Sequence, residues 1–167
     1  MRKILLTLIV TIGCAWAGYS IAAGQVRRIR LLGELADATE LLRVHMLEQL
    51  FPMASALSMS DSAAMRMSGT EMSEGKSSKE AWQAVMRHER RRGGVLDSLT
   101  REDCGALTRL FDGLGESGRS EQERHIAIAL RELRRLEENA RREYAGNVRL
   151  YTTLGMLTGL ALAVGVL

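Results

Sequence analysis

Aromatic residues make up only 4% of this 167-residue chain, and Pro52 is its one proline. Strands favour aromatic and β-branched side chains, so that shortage, set beside abundant Leu, Ala, Arg and Glu, gives an all-α fold class. Cysteine is scarce too. Cys14 lies in an apolar run and Cys104 in the polar middle, too few and too far apart in character for a disulfide scaffold, and unpaired thiols suit a reducing compartment. The three histidines, His45, His88 and His125, fall on different expected helices, and none has Cys, Asp or Glu at metal-ligand spacing. No Walker lysine follows a glycine loop. Gly113, Gly115 and Gly118 match a dinucleotide fingerprint in letters alone, because no strand precedes them, and the Glu-x-x-His pair of di-iron bundles is missing. No catalytic, cofactor or metal set is therefore expected, and the chain reads as non-enzymatic. An excess of one charge is also lacking. Of 23 Lys and Arg, Arg2 and Lys3 precede the first apolar run, which leaves 21 against 20 acids in between, so nucleic acid is not an expected partner.

What the chain does have is two charge-free runs, one near each end. Ile4 to Gly24 holds twenty-one uncharged residues, and Leu150 to Leu167 holds eighteen, enough helix at about 1.5 Å per residue to approach the roughly 30 Å of a bilayer core. Both read as transmembrane helices, which divides the chain into a first span (1–24), a helical domain (25–149) and a second span (150–167). Arg27, Arg28 and Arg30 follow the first run, and Arg141, Arg142 and Arg149 precede the second. Positive residues close to a span favour the cytoplasm, so the middle is expected to face the cytoplasm and both ends to lie outside, as a membrane hairpin. The rival reading takes Ala15-Trp16-Ala17 as a cleavage site, making the chain an exported helical binding protein with a C-terminal anchor. In the second run, Gly155 and Gly159 form a GxxxG pattern, a candidate face for membrane helix packing.

Between the runs, apolar positions follow a helical period. Ile29, Leu32, Leu35 or Ala36, Thr39, Leu42, Met46 and Leu50 form one stripe, and Ile126, Leu130, Leu133, Leu136 or Glu137, Ala140 and Tyr144 another, which predicts two long helices packed antiparallel as a stalk. Pro52 is expected to end the first helix and open a short one over Met53 to Arg66. Gly69 to Ser78, rich in Gly and Ser, reads as a mobile loop. Ser77 and Glu80 have capping-box spacing before Ala81, Trp82, Val85 and Met86. Arg90 to Gly94 suits the end of that helix, the alternative being that the arginine run touches anionic lipid or a partner, and Thr100 to Asp103 offers another cap before Leu107, Leu110 and Phe111. Asp112 to Gly118 then breaks the chain, and Ser120 opens the final helix. The Met residues at positions 53, 59, 65, 67 and 72 are expected to pack rather than bind metal.

One segment carries a resemblance. An apolar N-terminal run, the Ala81-Trp82 pair, the series Leu114, Gly115, Gln122 and Ile126, and a C-terminal apolar run occur in the order and spacing of the AB protein family of the stage III sporulation operon of endospore-forming bacteria. Gly118 stands where that family commonly has Asp. Gly115-Glu116-Ser117-Gly118 resembles instead the Gly-Glu-x-x-Gly turn of the inner-membrane platform protein of type II secretion systems. The resemblance implies a structural subunit of the secretion-like channel between mother cell and forespore, held in the mother-cell membrane around the forespore. Its cytoplasmic helical domain would meet the operon's AA ATPase, and its spans the operon's other membrane proteins and the lipid bilayer. It also makes Gly115, Glu116, Gly118 and Gln122 candidates for a partner-docking surface, although the same residues suit a plain structural elbow.

Overall fold

Leu32, Leu35, Ala36, Thr39 and Leu42 are buried along one stripe of helix α1, Arg2–Arg43, which continues into a π-helical turn, Val44–Glu48. The computed structural model describes the backbone of residues 2–115 and 118–166, and the side-chain surroundings of residues 23–115 and 118–147. After α1 come α2 (Met53–Ser58), α3 (Ala63–Ser73), α4 (Ser78–Glu89), α5 (Arg101–Gly113) and α6 (Arg119–Val166). Among the described residues there is no strand, in keeping with the all-α class.

The expected stalk is present. Ile126, Leu133, Leu136 and Ala140 of α6 are buried against the α1 stripe. Polar contacts give the register: Arg28 meets Glu143, and nine residues further along α1 Asp37 meets Arg134, nine residues back along α6. The two helices are antiparallel and in step. Helix α5 runs antiparallel to both of its neighbours, with Glu102 against Arg135 and Arg109 against Glu132 on α6, and Thr108 and Phe111 bonded by Trp82 and Ser78 of α4. Trp82 stacks on Phe111 at 4.8 Å between ring centroids and anchors the core between α4 and α5.

Both expected capping boxes are formed. Ser77 and Glu80 exchange backbone and side-chain hydrogen bonds at the start of α4, as do Thr100 and Asp103 at the start of α5. Arg90 follows α4, and Gly93 takes a φ of +85° in the turn beyond it.

Three expectations fail. The helix expected over Met53 to Arg66 is two helices, broken where the Ser62 amide bonds the Ser60 hydroxyl and the Arg66 guanidinium bonds the carbonyls of Ser60 and Asp61. The loop expected over Gly69 to Ser78 is helical as far as Ser73. Ser68, Thr70 and Ser73 turn their hydroxyls onto carbonyls four residues back, so they do not break the helix, and Gly69 is buried where α3 crosses α2. Leu50, expected inside, is 67% exposed with a φ of +59°, because the wider π turn rotates the stripe and buries Leu47 in its place. The methionines divide: Met65 is buried, Met53 and Met72 pack against the core, and Met59 and Met67 are exposed.

Among the described residues no helix is long and apolar enough to cross a membrane. The two apolar runs expected to do so lie almost wholly outside the residues whose side chains are described.

Candidate functional site

Two parts of the helical domain stand out from the core packing. The first is the apex, the end farthest from the apolar runs, where the α5–α6 elbow meets the end of α1. Leu114 is buried, and Gly115 follows with a φ of +90°, a conformation that disfavours a side chain. A β-carbon there would also come within 3.4 Å of the Met53 Cε, so the elbow lies against α2. Gly118 has open space around it, and its carbonyl accepts from the amides of Glu121 and Gln122 at 3.0 Å, which starts α6. Arg119 reaches across to the Leu47 carbonyl and ties the elbow to the π turn. Gly115, Gly118 and a half-buried Gln122, candidates through the family resemblance, all lie at this elbow, while Glu116 lies outside the described residues. Gly155 and Gly159 fall within α6, far along the chain from this elbow, and their surroundings also lie outside the described residues.

Beside the elbow, the apex exposes Leu50, Phe51 and Met59, with the Phe51 ring against His45 at 5.7 Å between centroids. From the elbow a groove of about 390 Å³ runs between α5 and α6, floored by Ala106, Leu110, Ile128 and Ala129. Gly113 lies tight against the ring of His125 at this groove, since a β-carbon there would fall 2.0 Å from the His125 Nδ1. Asp112 and Lys79 lie 3.5 Å apart near its apical end, and Arg109 and Glu132 bridge its walls. Its floor is apolar and its rim charged. Leu50, Phe51 and the groove were not singled out from sequence. A lone Leu-Phe pair before a proline reads as the end of a core stripe, and only the π turn turns it outward.

The second part is the base, the end nearest the apolar runs. The Arg28 guanidinium donates to both Asp103 carboxylate oxygens, at 2.8 and 3.0 Å, and also reaches Glu143. Asp103 is wholly buried and at the same time accepts from the Thr100 amide at 2.8 Å. Burial disfavours its charge, yet Arg28 and Thr100 more than offset that and hold its carboxyl below the usual range, while the bond to Asp103 raises Arg28. One carboxylate thus caps α5 and clamps it to α1 and, through Arg28, to α6. Burial pushes the neighbouring Cys104 thiol up, which keeps it protonated and unreactive.

The family model for stage III sporulation protein AB matches residues 3–167. The chain belongs to that family. Stage III sporulation protein AB of Bacillus subtilis (strain 168) is 26% identical over 172 residues, covering 97% of each chain. A solved structure of a stage III sporulation protein AB superposes with a TM-score of 0.57 at 22% identity over 71% of this chain and 97% of that one, which supports the family's fold for the helical domain.

Proposed function

We propose that this family member is a non-enzymatic structural subunit of the channel between mother cell and forespore. It is anchored by both apolar runs in the mother-cell membrane around the forespore, with its helical domain in the cytoplasm. The observation that carries the reading is the register of α1 and α6. Continued in step from Arg28 opposite Glu143 and Asp37 opposite Arg134, that register would set Gly24 opposite Asn147 and residues 150–166 opposite residues 21–5. Two charge-free runs would then begin and end at nearly the same level, as a hairpin in one bilayer requires.

In this reading the apex faces away from the membrane and receives the operon's AA ATPase, with Gly115, Glu116, Gly118 and Gln122 shaping the turn and Leu50 and Phe51 supplying apolar contact. The runs, including the Gly155 and Gly159 face, meet the bilayer and the operon's other membrane proteins. Copurification of the detergent-solubilised full chain with the AA ATPase tests the docking half. The double substitution L50S and F51S is expected to abolish capture without lowering thermal stability, and undiminished capture would contradict it. A clean deletion is expected to arrest forespore development after engulfment, and normal spores from it would refute the channel role.

A further inference from the structure

The near balance of 21 positive and 20 negative residues between the runs hides a segregation that only the fold reveals. Near the base, five acidic groups have partners within the domain, although Glu102 and Glu143 stay exposed. Asp103 is taken by Arg28 and Thr100, Glu143 by Arg28, and Glu102 by Arg135. In the α4–α5 turn, Glu89 accepts the Val95 amide and Asp97 the Gly93 amide, each at 3.0 Å. The exposed Arg27, Arg30, Arg90, Arg91, Arg92 and Arg101 have no carboxylate partner among the described residues. Their level along the stalk follows from the Arg28–Asp103 clamp. That clamp sets the first turn of α5 beside a residue four positions beyond Gly24, roughly 6 Å of helix from the apolar run. Because α4 rises antiparallel to α5, the turn joining them projects from this same end.

We propose that this arginine collar, with the Arg90–Arg92 turn as its outermost part, rests on the anionic phospholipid headgroups of the membrane that the chain's own apolar runs enter. Arginine forks suit lipid phosphates, and each cation close to an anionic surface adds to the attraction. The contact would hold the domain upright, base on the lipid and apex away from it. This inference rests on the hairpin reading above, since only the hairpin brings the base against lipid.

The test uses the full chain with C14S and S98C, labelled in the α4–α5 turn with a fluorophore, in proteoliposomes carrying headgroup nitroxide lipids. One set is phosphatidylcholine alone, and the other contains 30% phosphatidylglycerol. Flotation with both sets and strong quenching only with phosphatidylglycerol, relieved by 1 M KCl, is the expected result. The triple substitution R90Q, R91Q and R92Q is expected to lower the docked-to-undocked ratio by on the order of a hundredfold while flotation is unchanged. Hydrogen exchange of amides 90–99 in the unlabelled chain provides a second readout, slowed by phosphatidylglycerol and restored by the triple variant. Flotation with equal quenching and equal exchange in both lipids overturns the collar and leaves the hairpin standing. Failure to float with either overturns both.

Discussion

The two ends of the helical domain are held by opposite means. At the base, charge is buried and answered, with Asp103 meeting Arg28 and Thr100 at once, and Arg28 in turn reaching Glu143 of α6. At the apex, glycines let neighbours approach closely, with Gly115 against the Met53 side chain, Gly113 against the His125 ring and Gly69 against the α2 backbone, and apolar side chains are left in solvent. A buried ion pair tolerates little change, because removing one partner strands the other. Small-residue contacts leave a surface that a partner can cover. A fixed end next to the apolar runs and an uncovered end away from them fit the docking platform proposed above.

The largest effect is expected at the base. D103A removes the α5 cap and leaves Arg28 with Glu143 alone, and should cost about 3–5 kcal/mol of unfolding free energy by chemical denaturation. Acid sharpens the same point. The folded carboxyl of Asp103 lies below its ordinary value of 3.8, so its contribution is complete above that pH and is lost as pH falls through the lower folded value. A denaturation series from pH 6 to pH 2 should show that loss in the native chain, and D103N should lack it. At the apex, G69A drives a β-carbon to 2.7 Å from the Ser58 amide nitrogen and 2.9 Å from the Ala54 carbonyl, which should cost about 1–3 kcal/mol. An equal loss from G69A and D103A would erase the contrast between the ends. The smallest effect is expected midway. Arg134 and Asp37 pair at 2.6 Å but both are well exposed, so D37N should cost less than about 1 kcal/mol and less still in high salt.

Much of the fold was legible in the sequence, and where it was not the reasons are physical. The stripes of α1 and α6 and the boxes at Ser77 and Thr100 were readable because each is set by residues within one or two turns. The helical Gly69 was hidden, since a serine that bonds a carbonyl four residues back is indistinguishable in one dimension from a serine in a loop. The π turn was hidden as well, and with it the outward Leu50. Arg28 stood out only as one of several positive residues beside an apolar run. Its partner lies 75 residues away, and no local spacing announces such a pair. Of the candidate site, the elbow glycines came from the family resemblance, whereas the apolar apex and the groove beside His125 needed coordinates.

The central claim is that both apolar runs enter one membrane with the helical domain on the cytoplasmic side. In protoplasts expressing the full chain with C14S, a membrane-impermeant maleimide should leave E74C, an exposed position in the α3–α4 turn, unlabelled until the cells are lysed. A cysteine placed after Leu167 should label at once. Immediate labelling of E74C in intact protoplasts would contradict the account.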